Sequence, residues 1–119
     1  MKEFSFESLT VWQKATDFIV EVYNTTETFP DEEKYGLTSQ VRRASVSIAS
    51  NIAEGSSRST KKDKARFYTI AYSTAIETLN HLIIANRLDM LKRVDYHDLR
   101  NDLEEITRML NALYNATMK

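Results

Sequence analysis

Only three residues in this chain readily interrupt a helix: Pro30, Gly36 and Gly55. A β-sheet fold of 119 residues needs a turn about every 8 to 12 residues, and turns draw on Gly and Pro for conformations that other residues adopt poorly. With so few breakers the chain is restricted to a small number of long helices. Its length fits one domain, and its 42% apolar content supplies one continuous core. A single all-α domain over residues 1–119 is expected.

Periodicity places four helices. From Leu9 to Thr28, the residues Leu9, Trp12, Ala15, Ile19 and Val22 recur every three or four positions, the spacing that lines one helix face. Phe29-Pro30 ends this segment, because the residue before proline is driven out of the helical region. Asp31 reads as the N-cap of a second helix running to Glu54, with Glu32 and Glu33 in a favourable first turn. Leu37, Val41, Ala44, Ile48 and Ile52 form its seam. Gly55 reads as its left-handed C-cap, followed by the loop Ser56-Ser57-Arg58. Ser59 or Thr60 caps a third helix that continues to Leu91, with Asp63 placed as in a capping box. Asp95 caps a fourth, in which Leu99, Leu103, Ile106, Leu110 and Leu113 step in heptads. Short connections make consecutive helices antiparallel neighbours. The expected architecture is an antiparallel up-down-up-down four-helix bundle.

The third helix carries more apolar surface than one bundle position uses. From Phe67 to Asn86 the only charge is Glu77, and apolar side chains point in nearly every direction. A bundle helix buries one stripe of roughly 100°. The second apolar surface is therefore assigned to another copy of the chain, with Tyr72, Ile76, Leu79, Ile83 and Ile84 at a homo-oligomer interface. The same segment holds Ser73, Thr74, Thr78, Asn80 and His81 and is too polar to span a membrane. The first residues show no apolar run like that of a signal peptide. Cysteine is absent, which excludes disulfides, thiolate nucleophiles and Cys-based metal sites and fits a cytoplasmic location. No membrane partner is expected.

Signals of catalysis are poor. The histidines are His81 and His97. A di-iron bundle needs Glu-x-x-His on two helices plus further glutamates, whereas Glu77 and His81 are four apart and nothing repeats the pair. His81 reads as a hydrogen-bonded interface residue. Arg93-x-x-x-His97 resembles the Arg…His pair of helical RNases of the HEPN type, but it is one residue short and is read as falling in an inter-helix turn. No nucleophile–base pair, Gly-rich phosphate loop or zinc signature is present. We expect no catalytic residues, no metal and no cofactor.

Charge is more informative. Arg58, Lys61, Lys62, Lys64 and Arg66 stand against Asp63 alone, a local +4 in a chain of net −1, so the remainder carries −5. Cations in a first helical turn oppose the helix dipole by a few tenths of a kcal/mol each. Stability alone does not ask for them there, and a phosphate would. These five residues are the candidate nucleic-acid site, and the competing reading is a solvated loop. Arg42 and Arg43 lie roughly 18 Å further along the second helix at 1.5 Å per residue. They read as structural salt-bridge partners of Glu33, Glu54 or Glu77.

The run from Tyr35 to Gly55, YGLTSQVRRASVSIASNIAEG, resembles the signature of the 23S rRNA intervening-sequence proteins. The opening Phe6-x-x-Leu9-x-Val11-Trp12-Gln13-Lys14-Ala15, the turn Phe29-Pro30-x-x-Glu33 and Glu77 fit the same family, although Ala49 stands where a proline is often found. The resemblance implies a bacterial four-helix bundle that assembles as a ring-like homopentamer. It also implies a relation to the accessory protein of diversity-generating retroelements, which is strongly basic and binds nucleic acid and a reverse transcriptase. In a ring of five, the basic patches would sum to about +20 along one rim. Two readings stand at this point. One is a non-enzymatic homo-oligomeric scaffold or adaptor that binds RNA, DNA or a nucleic-acid-processing protein through Arg58–Arg66. The other is a purely protein-binding assembly with no nucleic-acid contact.

Overall fold

The computed structural model describes residues 1–119 as helices and connecting turns, with no strand. Four helices carry the fold: α1 (Thr10–Thr26), α2 (Leu37–Ser56), α3 (Lys61–Arg87) and α4 (Arg93–Met118), with short 3-10 turns at Ser5–Ser8 and Asp31–Glu33. Each helix packs on its neighbours in sequence and α1 closes against α4. Neither diagonal pair is in backbone contact. Side-chain contacts show every neighbouring pair to be antiparallel. Arg42 of α2 reaches Tyr23 and Thr26 at the end of α1, and Lys64 near the start of α3 reaches Ser56 at the end of α2. Lys61 meets Lys119 beyond the end of α4, and Glu21 and Thr25 late in α1 line one groove with Asp95 and Asp98 at the start of α4. Ser5 and Ser56 hydroxyls hydrogen-bond at 3.0 Å, fixing the N-terminal turn on the end of α2.

The seams of α2 and α4 are those the periodicity predicts. Leu37, Val41, Ala44, Ile48 and Ile52 are buried, as are Leu99, Leu103, Ile106 and Leu110. Each fully buried side chain of this size contributes about 1.5–3 kcal/mol. In α1 the seam lies one residue further round. Val11, Ala15, Phe18 and Val22 are buried, while Leu9, Trp12 and Ile19 flank the core. Trp12 packs edge-on against Phe6 at 5.0 Å, which keeps it at the margin.

Helix ends depart from the sequence reading at several places. α1 stops at Thr26 rather than Thr28. There the Thr26 hydroxyl donates to the Val22 carbonyl (2.7 Å) and the Phe29 N–H turns back to the Thr26 carbonyl (3.1 Å). Asp31 caps no helix: it is the first residue of the 3-10 turn, whose N-cap position is Pro30, and its side chain makes no capping hydrogen bond. α2 begins at Leu37, whose N–H donates to Glu33 Oε1 at 3.0 Å. α3 starts as expected, with the Asp63 N–H donating to Thr60 Oγ1 at 3.1 Å. It ends at Arg87, four residues before Leu91, because Asp89 turns left-handed (φ 58). The Met90 and Asp89 N–H groups then reach the Ala85 and Asn86 carbonyls at 3.0 and 3.1 Å, a Schellman closure in which Asp takes the usual glycine position. Leu91 still enters the core, from the turn. α4 begins at Arg93, so Asp95 sits in the first turn rather than capping it; its charge suits the helix dipole there.

Gly55 does not act as a left-handed C-cap. It lies within α2, and no glycine has positive φ. What it provides is close approach. A Cβ at this position would lie 2.7 Å from Tyr68 Cε1 and 3.0 Å from Phe67 Cβ, so its bare backbone lets the end of α2 meet α3.

Candidate nucleic-acid interface

That close approach brings Arg58, Lys61, Lys62, Lys64 and Arg66 to one end of the bundle. The five are held differently. Asp63 does not complete a capping box; its carboxylate lies between two arginines, 3.2 Å from Arg66 Nη2 and 3.9 Å from Arg58 Nε. Both guanidinium groups also lie over the Phe67 ring, at 4.6 Å for Arg58 and 4.5 Å for Arg66. Lys64 Nζ donates to the Ser56 carbonyl at 2.8 Å and Lys61 Nζ to the Lys119 carbonyl. Lys62 is exposed and makes no hydrogen bond or ion pair within the chain. The Ser56 carbonyl orients Lys64 without cancelling its charge, and the segment from Arg58 to Arg66 carries four more cations than carboxylates. The Arg66 side chain remains 59% exposed.

Further along the same side of α3, the helix faces α4 across a cleft of about 200 Å³. Tyr68, Tyr72 and Tyr114 line it with Leu110, and Thr69, Ser73 and Asn111 supply polar atoms. Burial pushes the Tyr68 hydroxyl above its ordinary pKa of 10.0. Tyr68 and Tyr72 stand four residues apart on α3. Their spacing of one helical turn was visible, but Tyr114 joins them only through the α3–α4 register.

The salt bridges expected of Arg42 and Arg43 do not form within the chain. The antiparallel pairing of α1 and α2 sets Arg42 beside the open carbonyls at the end of α1. There it donates to Tyr23 O at 3.2 Å and to Thr26 Oγ1 at 2.8 Å, with its guanidinium 4.6 Å from the Tyr23 ring centre. A cation at a helix C-terminus is favourable. Glu33 is occupied in capping α2, and Glu54 has no ionic partner. Arg43 and Glu77 both line a groove of about 630 Å³ between α2 and α3, together with Tyr35, Ser47, Thr74 and His81, without pairing. Glu77 approaches His81 instead, with Nε2 3.6 Å from Oε2. His81 Nδ1 is buried without a hydrogen-bond partner, so the hydrogen bonding expected of this histidine is not completed within the chain.

The residues assigned to an oligomer interface divide into two groups. Tyr72, Leu79 and Ile83 pack partly against the chain's own core. Ile76 and Ile84 face outward at 46% and 39% exposure, joined by Ile70 at 38%. Arg93 and His97 lie on the first turns of α4 rather than in an inter-helix turn, and His97 is exposed. No three His, Asp or Glu side chains converge as a metal site would require. No helix is long and apolar enough to cross a membrane.

A bifurcated ion pair also ties the first helix to the last. Lys14 joins α1 to α4 through Asp102 (3.2 Å) and Glu105 (3.1 Å). Hydrogen bonds to Glu105 and then Asp102 hold its ammonium above the ordinary 10.5.

Fold and site together define a four-helix bundle protein with one basic end, built round a long third helix that keeps isoleucines on its outer side. The chain belongs to the 23S rRNA-intervening sequence protein family, whose model matches residues 7–112. Among solved structures it is similar to a protein of unknown function from the S23 ribosomal protein family of Bacteroides thetaiotaomicron. Identity is 27%, the match covers 88% of this chain and 98% of that one, and the TM-score is 0.82. No curated protein matches the chain.

Proposed function

We propose that this protein is a non-enzymatic, self-assembling cytoplasmic scaffold or adaptor that holds a nucleic acid, or a protein working on one, against its Arg58–Arg66 end. The observation that carries the reading is the gathering of five cations at the α2–α3 turn, of which only Arg58 and Arg66 are paired with a side-chain carboxylate, that of Asp63. A surface of this kind binds a phosphate backbone with steep salt dependence and little sequence preference. Ile76 and Ile84 on the outer side of α3 supply apolar surface for a second copy. The family resemblance implies that such copies close into a ring of five, which would line one rim with basic patches.

A titration against labelled single- and double-stranded RNA and DNA at about 50 and 200 mM salt tests the reading. Micromolar or tighter binding that collapses at the higher salt supports it. Replacing Lys61, Lys62 and Lys64 together with glutamine should weaken that binding and leave the oligomer intact. A second reading, a protein-only assembly, is favoured by the engagement of all the cations except Lys62 within the chain. Absence of binding at either salt would select it.

A further inference from the structure

We propose that the tyrosine cleft between α3 and α4 receives a base of a single-stranded nucleic acid whose phosphates lie on Lys62 and Arg66. The inference rests on the nucleic-acid reading above and adds to it a mode of recognition. Lys62, Arg66, Thr69 and Ser73 follow one another at steps of four, three and four, and so share one side of α3. The first two carry free or half-free cations, and the second two line the cleft. By helix rise, Arg66 and Thr69 are roughly 4.5 Å apart along the axis, so a phosphate on Arg66 puts its own base within reach of the cleft.

The walls suit a flat heteroaromatic ring. Tyr68 is buried, Tyr72 is half-buried, and Tyr114 is 38% exposed. Three phenol rings line the cleft, and every base has a face that an aromatic ring can stack on. Thr69, Ser73 and Asn111 offer donors and acceptors to its edge. No carboxylate lines the cleft. The groove on the α1–α4 side is the opposite case, lined by Glu21, Asp95, Asp98 and Asp102, and would repel a polyanion. The charge of this chain therefore admits a nucleic-acid strand at the α3–α4 cleft and turns it away at the α1–α4 groove.

The test compares short single-stranded RNA and DNA with an abasic sugar–phosphate strand of equal length and charge, by fluorescence anisotropy on the full chain at low salt. Wild-type protein should bind the base-bearing strands about tenfold or more tightly than the abasic one, the scale of one stacked base. Comparing RNA with DNA shows which sugar is preferred. Tyr114→Ala removes a wall, and Ser73→Leu fills the cleft from an exposed position. Each should erase the preference for bases while leaving abasic binding unchanged. Equal wild-type affinity for base-bearing and abasic strands would overturn the cleft and leave the phosphate-binding adaptor standing. A preference that survives both substitutions would also overturn it, by putting the base elsewhere. Failure to bind any strand would overturn both readings.

Discussion

Replacing Gly55 with alanine tests the close approach of α2 and α3 directly. In an exposed helix interior the change would stabilise the protein by about 1 kcal/mol, because alanine loses less backbone entropy on folding. Here the new methyl would stand 2.7 Å from Tyr68 Cε1 and 3.0 Å from both Phe67 Cβ and Tyr68 Cδ1. Tyr68 and Phe67 are themselves buried, so neither can swing into solvent, and the Phe67 Cβ is tied to its backbone. Overpacking of this kind costs about 1–3 kcal/mol. The opposing terms leave a net destabilisation of roughly 1 kcal/mol, and a reversed sign relative to an ordinary Gly-to-Ala change in a helix. For a chain of this size that lowers the melting temperature by about 3–6 °C. Circular dichroism melts at fixed protein concentration measure it. Pairing the change with Tyr68→Leu should recover part of the loss, since the nearest clash is with the tyrosine ring. A Gly55→Ala variant as stable as wild type, or more so, would refute the reasoning.

Thr60→Ala should cost about 1 kcal/mol through loss of the hydroxyl that accepts the Asp63 N–H, whereas Thr60→Ser should retain most of it in the same melts. Alkaline pH should weaken the fold through two groups. Lys14 and Tyr68 both have folded pKa values above their ordinary 10.5 and 10.0, so the folded state holds protons that the unfolded state releases. Lys14's contribution is complete below 10.5 and fades as pH rises through its folded value, and Tyr68 adds a penalty once pH passes 10.0. Urea midpoints should fall across that range, and the fall should be shallower in Lys14→Met with Tyr68→Phe. Ile84→Glu should dissociate the assembly without unfolding the chain. Ile83→Glu should instead lower stability by several kcal/mol, as an unpaired carboxylate forced against the core does. Light scattering read beside thermal melts separates the two, and a wild-type monomer at micromolar concentration would defeat the account of the outer face of α3.

The fold was legible because its determinants are distributed. Scarce breakers exclude sheets, and the seams from Leu37 to Ile52 and from Leu99 to Leu110 repeat often enough to survive local noise. What failed was local and geometric. Glu33 caps Leu37 from four residues upstream, and Asp89 adopts a left-handed turn without being glycine; neither leaves a pattern in composition. The basic cluster was visible as a run of charge, but its pairing was not. Asp63 either reaches back to its own helix start or sits between two arginines, and the outcome depends on where Arg58 and Phe67 arrive from. Arg42 and Arg43 are adjacent in sequence yet face different neighbours, because one residue of helix is a turn of about 100°. The tyrosine cleft requires Tyr72 and Tyr114 to be matched across two helices, which only the packed register supplies.

Ser5 is bonded to Ser56, and Lys61 reaches Lys119. The two extremities of the described chain thus emerge at one pole of the bundle, the pole that bears the cations, while the α1–α2 and α3–α4 turns occupy the opposite pole. An affinity tag at either extremity is delivered next to the cationic surface, where an acidic or metal-chelating sequence acts as a steric and electrostatic screen. Attachment through Asp31–Lys34 or Leu88–Lys92, at the opposite pole, leaves that surface unobstructed, and immobilisation for binding studies belongs there.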